Sequence, residues 1–205
     1  MTRIGVIDLE ISNLGSVINM IKKCGGEATP IRSATEASEC SSLILPGVGS
    51  FDNGIKRIDN MGIRNLLKDF SASGKPLLGI CLGMQMLFDS SDEGNSEGLG
   101  IIPGSVKKLS FSGSNLKVPH MGWNEIQIRK QIESFSHLQS GDRFYFVHSY
   151  FAAPKSMDNI LFETKYGQLF TSGVIQRKTL GVQFHPEKSH RFGITFFKSY
   201  LEWIK

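Results

Sequence analysis

The sequence predicts an α/β fold of three layers: a mostly parallel central sheet with helices on both faces, plus additional antiparallel strands in the C-terminal half. Three observations predict it. Short apolar runs alternate with amphipathic stretches through the first half of the chain, glycine and proline punctuate the joints between them, and after Gly104 the helical period gives way to a succession of strand-like runs. At 205 residues the chain suits one domain over 1–205 with room for a sizeable core.

Arg3-Ile4-Gly5-Val6-Ile7 reads as the first strand. Leu14 to Cys24 follows as a helix whose Leu14, Val17, Ile18 and Ile21 face inward, and Gly25-Gly26 closes it. A strand near Ala28 to Ile31, a short helix around Thr35 to Cys40 and a strand at Leu43-Ile44-Leu45 continue the alternation. Helical spacing returns at Ile63 to Ser73 and stops at Gly74-Lys75-Pro76, ahead of a buried strand at Leu77 to Ile80. Later strands are expected around Val106, Glu125 to Ile128, Phe144 to Val147, Ile160 to Glu163, Thr171 to Ile175 and Gly181 to Phe184. A final helix from about Ser189 carries a core stripe of Phe192, Phe196, Phe197, Tyr200, Leu201 and Ile204.

Composition narrows the function. Hydrophobic residues at 40%, charged residues at 20% and 22 glycines describe an ordinary globular protein with many tight loops. The net charge of +4 comes from scattered lysines and arginines without a long basic run, so no nucleic-acid footprint is implied. Cys24, Cys40 and Cys81 form no CxxC pair, which points away from a zinc cage or disulfide framework and toward a reducing compartment. No 18 apolar residues run together and the N-terminus lacks a leader-like apolar stretch, so the expected location is the cytoplasm, with no membrane partner.

Three short stretches carry chemistry. Gly79-Ile80-Cys81-Leu82-Gly83 copies the spacing of a nucleophile elbow at a strand-to-helix joint, because Leu82, Gln85, Met86 and Phe88 repeat at helical spacing. A thiol at a helix N-terminus is favoured as thiolate by the unpaired N–H groups there. Taken alone, Cys81 reads equally as a small buried hydrophobe. In His185-Pro186-Glu187, an extended backbone puts residues i and i+2 on one side, which would give a base and the carboxylate that orients it; taken alone the stretch reads rather as a strand end with a satisfied histidine, and the cysteine elbow moves the balance. Pro46-Gly47-Val48-Gly49 leaves backbone N–H groups uncovered by bulky side chains, as an oxyanion site requires, although a plain tight turn fits it as well. No His, Cys and carboxylate set has metal-ligand spacing, and Gly47-Val48-Gly49 lacks both the Walker lysine and a full G-x-G-x-x-G, so no cofactor is expected.

Together LPGVG at 45–49, GICLGMQ at 79–85 and FHPE at 184–187 resemble the class I, or triad, glutamine amidotransferases. LPGVGSFD at 45–52, VPHMGWN at 118–124 and FYFVHSYF at 144–151 are similar, more narrowly, to the HisH family, the glutaminase subunits of imidazole glycerol phosphate synthase. The resemblance implies Cys81 as nucleophile, His185 as base and Glu187 as orienting acid. It implies that Gln85 and Glu93 hold the amide and amino ends of glutamine, with Ser149 and Tyr150 lining the same pocket. Backbone N–H groups of Val48 or Gly49 and of Leu82 would form the oxyanion hole, in a Gly47-Val48-Gly49 loop that reorients with an active partner. Asn13, Met121, Trp123, Asn124 and Lys188 fall where the family meets that partner.

The implied activity is hydrolysis of glutamine to glutamate and ammonia, with ammonia passed to a separate cyclase subunit of a heterodimer that makes imidazole glycerol phosphate and AICAR for histidine biosynthesis. Two stretches leave the acceptor open. The loop Asp8-Leu9-Glu10-Ile11-Ser12-Asn13 keeps only the asparagine of the family's usual aromatic and Gly-x-Gly-Asn pattern. The tail from Glu187 to Gly193 also resembles paralogues that feed a sugar amidotransferase of surface polysaccharide synthesis. A cysteine peptidase or small-molecule hydrolase would use a similar elbow. A non-catalytic regulatory subunit is the reading from another class, and an intact Cys81, His185 and Glu187 argue against it.

Overall fold

A computed structural model describes residues 3–10, 12–111 and 116–205. The first half runs β1 (Ile4–Ile7), α1 (Leu14–Lys23), β2 (Ala28–Ile31), α2 (Ala34–Ser38), β3 (Ser42–Gly47), α3 (Phe51–Asn60), α4 (Arg64–Ala72), β4 (Leu77–Cys81) and the single turn α5 (Leu82–Gln85). The second half adds β5 (Ser90–Ser91), β6 (Gly104–Lys108), β7 (His120–Glu125), β8 (Gln127–Ile128), β9 (Arg143–His148), β10 (Tyr150–Pro154), β11 (Ile160–Tyr166), β12 (Gln168–Gln176), β13 (Thr179–Val182) and α6 (His190–Trp203).

The apolar runs become strands buried on both faces, and the two-residue period decides which core each side chain joins. Ile4, Val6, Ile44, Leu78 and Ile80 point to one core, where they meet Val17 and Ile21 of α1 and Phe196, Phe197 and Tyr200 of α6. Ile7, Leu43, Leu45 and Leu77 point to the other, against Ala37 of α2, Phe51, Ile55 and Ile58 of α3 and Leu67 and Phe70 of α4. Three layers follow from that alternation. Among the described residues 11 strands form one sheet in the order β2-β1-β3-β4-β13-β12-β10-β6-β5, with β11 on β12 and β8 on β11, while β7 and β9 form a separate two-stranded ribbon. β2, β1, β3, β4 and β13 run parallel. From β13 through β12 and β10 to β6 the pairs are antiparallel. The carboxyl ends of β1, β3, β4 and β13 therefore share one rim, the place where open sheets of this kind put their ligands.

Several elements differ from the sequence expectation. α3 was not foreseen, and neither was β10. The strand expected at Glu125 to Ile128 is instead β7, ending at Glu125, with only the two-residue β8 beyond it. The helix after Cys81 is one turn rather than a run to Phe88. Gly25-Gly26 closes α1 as expected: Gly25 takes φ 88, and the N–H of Gly26 donates to the Ile21 carbonyl at 3.0 Å. In the loop after β1, Ile11 lies outside the described residues.

Candidate active site

Cys81 ends β4 with φ 55 and ψ −109, a backbone conformation that a side chain rarely adopts. Its glycine neighbours make the conformation possible. A Cβ on Gly83 would lie 1.7 Å from the Leu45 carbonyl oxygen, and one on Gly79 would lie 2.7 Å from Gly83 O and Met84 N. The chain thus turns sharply from β4 into α5, close against β3, with no room for side chains on either flank of Cys81, which is what the G-x-C-x-G spacing required. With only one turn behind it, α5 contributes little dipole to the thiol.

His185 and Glu187 are together as expected, but by another backbone route. Residues Pro186–Lys188 form a 3₁₀ turn rather than an extended segment, closed by Lys188 N–H on the His185 carbonyl at 3.0 Å. Glu187 Oε1 lies 2.8 Å from His185 Nδ1, both side chains being almost fully buried. A carboxylate can only accept, so Nδ1 carries the proton and Nε2 is left for chemistry. His185 Nε2 and Glu187 Oε2 are buried with no hydrogen-bond partner in the protein. Burial alone would depress the imidazole, but negative charge at the Cys81 sulfur and the Glu187 carboxylate outweigh it and push His185 up to about 10. The arrangement keeps a protonated imidazole beside the Cys81 sulfur, the proton donor that a cysteine nucleophile needs when a leaving group departs.

A cavity of about 280 Å³ opens over Cys81, and its walls include Val48, Gly49, Leu82, Gln85, Glu93, Ser149 and Tyr150. Every expected pocket residue except Gly47 therefore lines one space. Gly47 stands behind it, paired in register with Cys81 at the end of β3. Gly49 has φ 99, so the loop needs glycine there. Glu93 Oε2 accepts the Phe51 N–H at 2.8 Å, tying the loop that carries Glu93 to the start of α3 just beyond Gly49. A wider cleft of about 550 Å³ lies beside Cys24, Gly26 and Ile4, at the opposite end of the parallel strands.

The expected partner residues are all on or near the surface of the carboxyl rim. Met121 and Trp123 are 63% and 39% exposed on β7, Lys188 is exposed, and Asn13 precedes α1. Asn124 differs: its amide is used internally, donating to the Lys165 carbonyl at 3.0 Å and lying 3.2 Å from His120 Nε2. Trp123 stacks on His190, ring centroids 5.5 Å apart.

Three residues near the site escaped sequence reasoning. Gln183 is fully buried, donates to Cys81 Sγ at 3.7 Å, and lies 3.0 Å by its Oε1 from the Gln85 amide nitrogen. The signal was a single polar residue inside the apolar run Gly181-Val182-Gln183-Phe184. His120 and His148 stand within VPHMGWN and FYFVHSYF, where the sequence alone implies no role for them. They are buried, 3.0 Å apart, and His148 lines the cavity.

Comparison with known proteins gives the constellation its relatives. The family model described as Glutamine amidotransferase class-I matches residues 5–200. The imidazole glycerol phosphate synthase subunit HisH 2 of Pseudomonas aeruginosa is 41% identical over 201 residues, 97% of this chain and 98% of that one. HisH 2 of Methanococcus maripaludis is 43% identical over 97% of this chain and 98% of its own length, and HisH of Prochlorococcus marinus 42% over 98% and 95%. Among solved structures, a glutamine amidotransferase superposes with TM-score 0.77 at 20% identity, covering 98% of each chain. A chain of PurLQS from Thermotoga maritima gives 0.76 at 18%, over 100% of this chain and 99% of that one. Those two structures speak for the fold, whereas the family match spans β4, the cavity and the His185 turn and the HisH relatives are aligned over 97% of the chain: the chain belongs to the class I glutamine amidotransferases.

Proposed function

We propose that this chain is the glutaminase subunit of an imidazole glycerol phosphate synthase, a single domain over residues 1–205 that works in the cytoplasm beside a separate cyclase subunit. The observation that carries the reading is the buried His185 and Glu187 pair, 2.8 Å apart and electrostatically coupled to Cys81 at the floor of a glutamine-sized cavity. The relatives with 41–43% identity are named as subunits of that synthase. No helix among the described residues is long and apolar enough to cross a membrane.

In this mechanism the Cys81 thiolate attacks the side-chain carbonyl carbon of glutamine. The C–S bond forms as the carbonyl electrons move to oxygen, where N–H groups of Val48 or Gly49 and of Leu82 receive the charge. His185 gives its Nε2 proton to the amide nitrogen, the C–N bond breaks, and ammonia leaves a thioester on Cys81. Water adds with His185 as base, and glutamate departs. Glu93 receives the α-ammonium group of the substrate, and Met121, Trp123 and Lys188 face the partner.

The test is glutamate release by the purified chain, alone and with candidate partners, beside Cys81→Ala. The cyclase subunit should raise kcat by about 10² or more, the scale of one oxyanion donor. Cys81→Ala should be inactive with glutamine yet leave ammonia-dependent synthesis by the partner intact. Turnover retained in Cys81→Ala would sink the assignment. A second reading, ammonia supply to a sugar amidotransferase, is favoured by one observation: the loop after β1, on the partner rim, departs from the family pattern and folds with Glu10 at φ 57, paired to Arg57. Stimulation by that partner alone would keep the chemistry and change the pathway.

A further inference from the structure

His120 and His148 sit outside the mechanism, yet their bonding is fully determined. The Tyr150 carbonyl can only accept, so His148, 2.8 Å from it through Nδ1, must donate from that nitrogen. Burial pulls His148 down to about 3 and His120 to about 4, so both rings are neutral at physiological pH. A neutral His148 protonated at Nδ1 has a bare Nε2, which takes the Nδ1 proton of His120 at 3.0 Å. His120 Nε2 is then bare in turn and accepts from the Asn124 amide at 3.2 Å. The amide is itself oriented, because its oxygen accepts the Glu125 N–H at 2.8 Å and its nitrogen donates to Lys165 O at 3.0 Å. Stacking fixes the His120 ring, 4.0 Å from the Tyr166 centroid and 4.9 Å from that of Phe146. Every hydrogen bond in this chain points one way, from Asn124 to Tyr150.

At its far end the chain meets the substrate cavity. The Tyr150 carbonyl also accepts from Gln85 Nε2 at 3.0 Å, and the same nitrogen donates to Gln183 Oε1 at 3.0 Å. Both N–H bonds of the Gln85 amide are therefore committed inside the protein, and the group it can offer a ligand is its oxygen. An oxygen acceptor suits the NH₂ of a carboxamide and opposes a carboxylate, which has no proton to donate.

We propose that His120 and His148 are positioning residues for substrate choice: the one-way chain from Asn124 through both rings to the Tyr150 carbonyl holds Gln85 with its oxygen toward the cavity, so that the site accepts a carboxamide and turns away the carboxylate of the product. This rests on the glutaminase reading for its substrate. The ring tautomers do not.

Two measurements test it separately. The first is ¹⁵N NMR of the unaltered full chain, which has five histidines to assign. His120 and His148 should both show a protonated Nδ1 and a bare Nε2 from about pH 6 to 8. The opposite tautomer, or an imidazolium, at either ring overturns the proposal. The second is steady-state kinetics of the partner complex with His120→Phe, which retains an aromatic ring for the stack but donates nothing to His148. The KM for glutamine should rise about three- to tenfold, the worth of one neutral hydrogen bond, with kcat changed less than about twofold. The ratio of the glutamate inhibition constant to that KM should fall by a similar factor. An unchanged KM and ratio in a folded His120→Phe also overturns the proposal. Should that variant fail to fold, the tautomers of the unaltered chain decide. Correct tautomers in a chain with no glutaminase activity beside any partner would fault the functional reading instead.

Discussion

Gly83→Ala should damage both the fold and the reaction, and the structure sets the size of the effect. The added Cβ would lie 1.7 Å from Leu45 O and 2.8 Å from Leu45 C, where 3.0 Å is the practical floor, so about 1.3 Å of movement is needed. Neither side can yield cheaply. Leu45 is in β3, fully buried and paired in register with Gly79, and Gly83 is backbone of the turn that holds Cys81. Overpacking of this kind costs about 3 kcal/mol, against a helix-propensity gain of about 1 kcal/mol for alanine over glycine. The net loss of about 2 kcal/mol corresponds to about 4–8 °C in Tm for a chain of this length. Gly15→Ala in α1 is the internal control, because its Cβ would meet nothing within 4 Å; it should raise Tm by about 1–3 °C. Thermal unfolding followed by circular dichroism measures both. Glutamate release should fall at least about tenfold in Gly83→Ala, since Leu82 and Cys81 are pushed with it, and remain unchanged in Gly15→Ala. A Gly83→Ala chain that melts with the wild type and turns over normally would refute the close approach on which the elbow argument depends.

His185→Ala should abolish detectable glutamate release, whereas Glu187→Gln, which keeps an acceptor for Nδ1 but loses the charge, should retain part of it; equal loss in both would assign Glu187 some other task. Because His185 is raised from 6.5 to about 10, the stability it contributes is complete below 6.5 and is lost as pH climbs through about 10; urea titrations at pH 7 to 10.5 should show that alkaline decline, less marked in Glu187→Gln. The two lowered rings work in the opposite sense: unfolded histidines take up protons below about 6.5 while buried His120 and His148 do not, so stability should fall from pH 6.5 toward 4 by about 1.4 kcal/mol per pH unit for each ring. A slope that His120→Phe leaves unaltered would contradict that account.

What was legible in the sequence was local. The runs at Leu43 to Leu45 and Leu77 to Ile80, the helices around Val17 and Leu67, and the spacing about Cys81 each carry their signal within a few residues. α3 carries one too, with Phe51, Gly54, Ile55 and Ile58 buried, but a glycine inside the stretch weakens a helical signal and no element is expected there. That glycine answers to a distant neighbour: a Cβ there would meet Met86 Sδ at 2.5 Å, so α3 seats itself on the turn after Cys81. Gln183, His120 and His148 were illegible for the same reason. Their meaning lies in bonds to β4, α5, β7 and β10, up to about a hundred residues away in the chain, and no window of sequence shows them.

His185 and Glu187 show how a right pairing can rest on a wrong geometry, and the true geometry has a consequence. The extended segment ends at His185, whose N–H donates to Tyr145 O at 2.9 Å, the bridge that joins the tip of β13 to β9. Ser189 completes the knot: its hydroxyl donates to the His185 carbonyl at 2.6 Å and accepts the Tyr145 N–H at 3.0 Å. The base is thus fastened above and below to Tyr145, the residue opposite Trp123 in the ribbon. An extended His185-Pro186-Glu187 would have left the base on the end of a free strand. The 3₁₀ turn instead makes it part of the β7 and β9 ribbon, whose outer strand carries the exposed Met121 and Trp123. A displacement of that ribbon would reach His185 by two routes, one direct backbone hydrogen bond with Tyr145 and a second path of two hydrogen bonds through the Ser189 hydroxyl.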